Sequence, residues 1–214
     1  MNLVHRVPKK VYSQTLLIFT VITSLVLTGC MSAPKVELKK MTAQQRQQQL
    51  NNIDMWTLTG RLAIRTADEA NSLSFNWQHK PEQQLLLLYG TFGNTYAKLH
   101  QSAELATLEL ADNKVYQSHK VEDLLLNVLG YPLPIDHLNY WVRGLPYPGE
   151  QSVLTYNSLG YLKSIRYQQW TISFKRYQYF DGFNKLSLPK QITVTDGQVT
   201  LKFSIRKWIL GTKL

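Results

Sequence analysis

Alternation of apolar and polar side chains with a period of two dominates this sequence from residue 56 onward. In 71–79, 169–178 and 198–208, large apolar residues alternate with Ser, Thr, Asn, Gln, Lys or Arg. This pattern is typical of antiparallel strands that bury one face, and the 12 Tyr and 5 Trp also favour strands over a helical bundle. The sequence therefore predicts a mainly β protein. We predict strands over 56–66, 71–79, 83–90, 95–101, 104–111, 113–118, 152–157, 160–167, 169–178, 188–195 and 198–208.

Strands with one apolar face must close, or nearly close, on themselves to bury that face. Asp196-Gly197, between the last two predicted strands, is a strong hairpin signal. Alternation does not say which face points inward, so a transmembrane barrel with its apolar face toward lipid is an alternative. The dense Lys and Arg on the polar faces, the inserted helices and the lipid anchor described below disfavour it.

Helical periodicity interrupts the strands at two places. The Gln-rich stretch 41–53 predicts a helix that docks on the body through Leu50 and Ile53. Apolar residues at helical spacing between 121 and 129 predict an amphipathic helix.

We expect Ser118 to cap that amphipathic helix and Gly130 to end it. A shorter helix is predicted to start near Pro134 and to end at Gly144, so a helical insertion spans 119–144.

The first thirty residues have the pattern of a secretory signal. Three basic residues precede a 12-residue apolar run, 16–27, which is too short for a permanent membrane span. Leu27-Thr28-Gly29-Cys30 then resembles the bacterial lipobox, in which the Cys is acylated after cleavage before it. We predict a signal peptide over 1–29, a lipidated tether over 30–40 and one domain over 41–214. The residue after Cys30 is Met rather than Asp, which by resemblance indicates the outer membrane.

Composition and motifs argue against several functions. Cys30 is the single Cys, which excludes a disulfide framework and a Cys-based zinc site. The five His lack ligand spacing, and no phosphate-binding loop or Gly-x-Ser-x-Gly motif occurs, so we expect no metal, no cofactor and no enzyme. The chain has 24 Lys and Arg against 14 Asp and Glu, a charge that by itself would suggest nucleic-acid binding. The lipobox places the protein outside the cytoplasm, so solvation, or attraction to anionic lipid or an acidic carrier, explains the basic faces better. The acids that could pair as a glycosidase site are Glu104, Glu109, Asp112, Glu122 and Asp123.

The expected interior of the barrel is bulky and aromatic. It either packs as a dry core or, with the helical insertion as a lid, lines a cavity, and composition does not decide between the two. The candidate lining residues are Phe75, Trp77, Tyr89, Leu125, Leu138, Trp141, Trp170, Phe174 and Phe203.

A hairpin tip carries an aromatic residue between two glycines. In Gly90-Thr91-Phe92-Gly93 the Phe has no core to enter, and an exposed aromatic tip indicates a partner or membrane contact. The alternative is that Phe92 folds back onto the barrel.

These pieces together resemble the LolB family of outer-membrane lipoproteins. The most specific match runs from Gly130-Tyr131-Pro132-Leu133-Pro134 through Leu138 to Trp141-Val142-Arg143-Gly144-Leu145-Pro146. The lipobox, Thr59-Gly60-Arg61, Phe75-x-Trp77 and Trp208-Ile209 correspond in order, so the resemblance covers nearly all of the mature chain.

The resemblance implies an open, unclosed antiparallel β-barrel of about eleven strands with a helical lid and a hydrophobic cavity. It implies a lipid-anchored monomer that receives lipoproteins from the periplasmic carrier LolA and inserts them into the inner leaflet of the outer membrane. Cargo acyl chains would occupy the cavity, and Phe92 would take the place of the membrane-inserting Leu of the family, whose loop also has a Pro that is absent here. The alternative is an envelope lipid-binding or structural lipoprotein without transfer activity.

Overall fold

The computed structural model describes residues 41–180 and 186–211, so the predicted signal peptide 1–29, Cys30 and the tether 30–40 lie outside the described residues. Within the described part, no helix is long and apolar enough to cross a membrane. The strands are β1 (Trp56–Arg65), β2 (Ala70–Lys80), β3 (Gln83–Tyr89), β4 (Thr95–Gln101), β5 (Ala106–Leu110), β6 (Val115–Ser118), β7 (Val153–Tyr156), β8 (Leu162–Tyr167), β9 (Trp170–Tyr179), β10 (Ser187–Thr195) and β11 (Thr200–Leu210).

All eleven strands belong to one antiparallel sheet. Its order is β6-β5-β4-β3-β2-β1-β11-β10-β9-β8-β7, so the first and last strands of the chain pair at its centre. The terminal strands β6 and β7 are not neighbours in this order, so the sheet is an open barrel. The prediction of an unclosed antiparallel barrel of about eleven strands is confirmed.

The central pair of strands is bent by a bulge. The β1–β11 register shifts between Thr59 and Gly60, and a bulge increases the local twist of a strand. A Cβ atom added at Gly60 would lie 2.3 Å from the carbonyl oxygen of Ser204 and 3.1 Å from the Phe75 ring. Only glycine allows this close approach, which explains its place in the middle of a strand.

The Gln-rich helix α1 (Ala43–Asn51) starts with a capping box. Thr42 Oγ1 accepts from the Gln45 amide, and the Gln45 side chain accepts from the Thr42 amide. Leu50 and Ile53 are each 1% exposed, so the predicted docking contacts are present. Arg46 is also buried and donates to the Ser187 carbonyl, which fastens α1 to β10.

Two short helices, α2 (Val121–Leu129) and α3 (Ile135–Trp141), lie between β6 and β7 in the chain. Gly130 ends α2 with a φ of 81°, as predicted. The predicted N-cap is wrong, because Lys120 holds that position without a side-chain bond. Ser118 lies two residues earlier and accepts from the Lys120 amide instead, since the helix starts later than the sequence pattern indicated.

Helix α3 fills one half of the barrel. Trp141 is fully buried, and its ring centre lies 6.2 Å from Tyr167 and 6.3 Å from Trp170, on β8 and β9. The cavity lies in the other half, between the helices and strands β1 to β5 and β11.

Candidate functional site

An apolar cavity of about 1210 Å³ lies between the inner side of the sheet and the two helices. Its strand residues come from β1 to β5 and β11, and none of the lining residues in the described chain belongs to β7, β8, β9 or β10. The apolar wall consists of Leu62, Ile64, Trp77, Leu86, Leu88, Ala97, Leu99, Leu108, Leu110, Leu125, Val128, Leu129, Leu133, Ile135, Leu138, Val199, Leu201 and Phe203.

The cavity reaches the surface at one end of the sheet. Because neighbouring strands are antiparallel, the β1–β2, β5–β6 and β10–β11 turns all lie at this end, and residues 66–69, 111–112 and 197–198 form the rim. The charged lining residues Asp68, Glu69 and Asp112 lie on this rim, Arg65 directly precedes it, and all four are exposed. The inner wall therefore suits apolar chains, and charge is confined to the mouth.

Tyr131, directly after α2, also lines the cavity near its mouth. It is half-buried, and burial raises the pKa of its hydroxyl, with a smaller contribution from Tyr96. Tyr96 lines the same cavity and is 41% exposed. The two rings add apolar surface at the mouth.

A chain of polar side chains closes the floor of the cavity. Trp77 Nε1 donates to Gln84 Oε1 at 2.9 Å, and Gln84 Nε2 donates to Gln101 Oε1 at 2.5 Å. Gln101 Nε2 then donates to Asp136 Oδ1 at 3.3 Å. Gln84 is only 6% exposed, so these bonds satisfy buried groups while they tie β2, β3 and β4 to the start of α3.

Phe92 projects from the mouth end of the sheet. It is 97% exposed, and it does not fold back onto the barrel. The β3–β4 turn lies at the same end as the rim turns, since the β2–β3 and β3–β4 pairs are antiparallel. The Gly93 amide donates to the Gly90 carbonyl at 3.0 Å, and the Gly90 amide to the Asn94 carbonyl at 2.9 Å. These two bonds hold the tip in the absence of a proline.

The structure brings four of the nine candidate lining residues to the cavity: Trp77, Leu125, Leu138 and Phe203. The other aromatic candidates, Phe75, Trp141, Trp170 and Phe174, are buried in the packed core, and they are not lining residues.

Tyr89 is half-buried on β3, where it pairs with Ser74. Ser74 alternates with the buried Leu73 and Phe75, so Tyr89 faces the outer side of the sheet.

Leucine side chains that sequence reasoning did not single out make up much of the wall. Leu86 and Leu88 lie on β3, within a run that is apolar at every position from Leu85 to Tyr89. Pairing with β2 places Leu86 beside Trp77 and Leu88 beside Phe75, on the inner face. This strand register shows that Leu86 and Leu88 face the cavity, whereas Leu85 and Leu87 face the outer side of the sheet.

Arg143 explains part of the most specific sequence motif. It is 6% exposed and donates to the Asn139 carbonyl at 3.0 Å and the Ile53 carbonyl at 2.5 Å. Its guanidinium lies 4.7 Å from the ring centre of Tyr140. Arg143 therefore fastens the end of α3 to the segment between α1 and β1, and burial lowers its pKa.

Within residues 41–180 and 186–211, no group of three or more His, Cys, Asp or Glu side chains could hold a metal ion. His137 Nε2 lies 3.1 Å from Glu150 Oε2, beside the Tyr147 ring. Neither residue lines the cavity.

Comparison with known proteins identifies the family. The family described as "Outer membrane lipoprotein LolB" matches residues 54–208. The chain is 30% identical to the outer-membrane lipoprotein LolB of Cellvibrio japonicus over 92% of this chain and 97% of that protein. It is 31% identical to the LolB of Vibrio campbellii over 87% and 93%.

A crystal structure of a DUF1329 family protein from Desulfovibrio piger has the same fold, with a TM-score of 0.52 at 12% identity. The match covers 80% of this chain and 92% of that protein, and it concerns the fold alone. The sequence motifs, the open barrel and the family match over most of the described residues lead to one assignment. The chain belongs to the LolB family of outer-membrane lipoproteins.

Proposed function

We propose that this chain is a lipid-anchored receptor of the outer membrane that takes lipoproteins from a periplasmic LolA-type carrier and inserts them into the inner leaflet. The relatives are named outer-membrane lipoproteins, and Cys30 lies in the matching acylation signal. Acyl chains on Cys30 would anchor the protein itself. No other cofactor or metal and no catalytic step is part of the proposal.

The cavity is the observation that carries this proposal. Its volume of about 1210 Å³ exceeds the about 300–1,000 Å³ of most small-molecule sites, and its inner wall is apolar. Each CH₂ group that leaves water gains about 0.8 kcal/mol, so long acyl chains must pass directly from one apolar cavity to another. A difference of about 5.5 kcal/mol between carrier and receptor suffices to move a population from 1:99 to 99:1.

The position of Phe92 supports a delivery step at the same end of the molecule. Cargo in the cavity leaves through a mouth that shares its end of the sheet with this exposed side chain. A Phe buried at the acyl boundary gains roughly 1.5–3 kcal/mol, which would orient the mouth on the bilayer without replacing the lipid anchor.

A strand with two leucines on each face allows a matched experiment. Leu86→Asn/Leu88→Asn places amides in the cavity wall, whereas Leu85→Asn/Leu87→Asn places them on the outer face of the same strand. We expect the first variant to accept labelled lipoprotein from the carrier at least tenfold more weakly, and the second to accept it as the wild type does. Transfer is measured in two steps, from carrier to protein and from protein to liposomes.

The outcomes separate the two candidate functions. Equal acceptance by the two variants would remove the cavity from the mechanism. A wild-type protein that binds free lipid but takes no lipoprotein from the carrier would favour the lipid-binding alternative. Melting temperatures of both variants control for loss of fold.

A further inference from the structure

The outer face of the central and carboxy-terminal strands is strongly basic. Arg61 on β1 and Lys202, Arg206 and Lys207 on β11 are all exposed. Register places Arg61 opposite Ser204 and Lys202 opposite Ala63, so these side chains share the outer face of adjacent strands. The buried Leu62 and Phe203 alternate with them on the inner side.

The same charge continues across the next strands of the sheet. Lys175 and Arg176 on β9 and Lys163 and Arg166 on β8 are exposed, and Lys190 on β10 is half-buried. The strands β1, β8, β9, β10 and β11 contain no Asp or Glu. We call the eight exposed cations named above on β1, β8, β9 and β11 the basic face; Arg65, also exposed on β1, belongs to the cavity lining.

The acidic residues of the described chain lie on other elements. Asp68, Glu69, Glu82 and Glu104 lie in turns, and Glu109 lies on β5. Three ion pairs in residues 41–180 and 186–211 join Lys98 to Glu109, Lys114 to Asp112 and His137 to Glu150, and these three include no residue of the basic face. The strands that carry the face are therefore strongly positive.

The position of the face favours a soluble partner over the bilayer. The β3–β4 turn with Phe92 and the β10–β11 turn are four strand spacings apart, about 20 Å along the sheet. With Phe92 on the membrane, the strands lead away from it, and Lys207 lies five residues, about 17 Å, farther from the mouth end than Lys202. That exceeds the Debye length of about 10 Å at 0.1 M salt, so bilayer charge does not reach most of the face.

We propose that the basic face binds an acidic surface of the soluble carrier and guides its approach to the cavity mouth. This inference rests on the proposed function and adds the docking site to it. The face adjoins the β10–β11 and β1–β2 turns of the rim, and the β3–β4 turn with Phe92 lies beyond the β1–β2 turn at the same end of the sheet. Receiving and delivering cargo thus use different parts of one mouth. A cluster of positive charges on the receptor accelerates its encounter with an acidic partner.

Two double variants with equal changes in charge test the docking site. Lys202→Glu/Lys207→Glu reverses part of the basic face, and Lys80→Glu/Lys120→Glu reverses two exposed lysines elsewhere that lie outside the three ion pairs above. The full-length lipidated proteins are placed in neutral phosphatidylcholine vesicles. The association rate with the LolA-type carrier of the same bacterium, loaded with labelled lipoprotein, is measured from 20 to about 300 mM salt.

We expect the wild-type rate to fall as salt rises. The first variant should associate at least tenfold more slowly at low salt and show a flatter salt dependence, while the second should stay within twofold of wild type. Equal rates and slopes for the first variant and the wild type would overturn the docking site while cargo acceptance continued. The first variant could instead associate more slowly with anionic vesicles while its association rate with the carrier stays at the wild-type value. That result would identify the basic face as a membrane-binding surface and would also overturn the docking site. Failure of the wild type to accept cargo at any salt would overturn the proposed function and the docking site together.

Discussion

At the scale of single residues, environment separates side chains of the same type. Phe92 is 97% exposed at a turn, whereas Phe75 and Phe203 pack edge to face with ring centres 5.8 Å apart. Arg143 is buried and bonded to two carbonyl groups, whereas Arg61 is exposed on the outer face. Neighbouring structure, rather than residue type, decides whether each of these side chains is packed or exposed.

The exposed tip leads to a prediction about cargo delivery. Phe92→Glu places a charge where an apolar side chain would enter lipid, so we expect normal acceptance from the carrier and at least tenfold slower transfer to liposomes. The melting temperature should change little, because a side chain that is 97% exposed contributes little packing. Phe92→Leu is the matched control and should transfer at close to the wild-type rate, since insertion requires apolar character rather than a ring. A Phe92→Glu protein that delivers at the wild-type rate would contradict the role of the tip.

At the scale of secondary-structure elements, the two helices decide the shape of the interior. Trp141 on α3 packs against β8 and β9, while Leu125 on α2 and Leu138 on α3 face the cavity. The hydrogen-bonded chain from Trp77 to Asp136 fixes where α3 starts relative to β2, β3 and β4. The cavity is therefore the space that the helices leave unfilled.

That chain predicts a measurable link between sheet and lid. Gln101→Leu leaves the buried Gln84 amide without its acceptor, and we expect the free energy of unfolding to fall by about 1–3 kcal/mol. Gln83→Leu, at an exposed position of β3, is the control and should change it by less than about 0.5 kcal/mol. Urea unfolding gives both values, and amide hydrogen exchange should rise in α3 for the first variant alone. Unchanged unfolding and exchange in Gln101→Leu would show that the chain does not hold the lid.

At the scale of the whole molecule, charge and burial are unevenly distributed. The outer face of β1, β8, β9 and β11 is basic, the cavity wall is apolar, and the acids of the described residues lie on other elements, including the turns, the helices and β5. A buried cluster closes the end of the barrel opposite the mouth, where His79 stacks on Trp56 at 5.1 Å and Trp56 packs on Trp77 at 5.2 Å. Burial and the nearby positive charge of Arg143 lower the pKa of His79 to about 4.

The lowered pKa of His79 predicts how stability depends on pH. The unfolded chain binds a proton at this His below about pH 6.5, whereas the folded protein does so only near pH 4. Stability from the neutral ring is therefore complete above pH 6.5 and is lost as pH falls toward 4. We expect about 2 kcal/mol from this group, allowing for solvent screening of the part of the ring that is not buried.

The measurement compares unfolding by urea at pH 7.5 and pH 4.5. His79→Gln should lose that part of the pH dependence, while His100→Gln, at an exposed position of β4, should keep it. Parallel pH profiles for wild type and His79→Gln would show that another group is responsible.

Local patterns in the sequence determined the elements of this fold. Period-two alternation placed eleven strands, because the side-chain period of a strand is independent of its partners. The Asp196-Gly197 hairpin and the left-handed Gly130 followed from backbone sterics, and two glycines around Phe92 predicted an exposed tip. The open form of the barrel and the presence of a cavity were predicted from the resemblance to the family, not from the alternation pattern.

Tertiary structure alone decided which inward side chains line the cavity and which fill the core. Trp77 and Trp170 both alternate with polar neighbours, yet the first lines the cavity and the second packs on Trp141. The same holds for β3, where every residue from Leu85 to Tyr89 is apolar and only pairing with β2 assigns Leu86 and Leu88 to the inner wall. Alternation defines the two faces of a strand. Which part of the interior is packed and which part stays open as a cavity depends on where the helices lie against the sheet, and only the packed chain determines that.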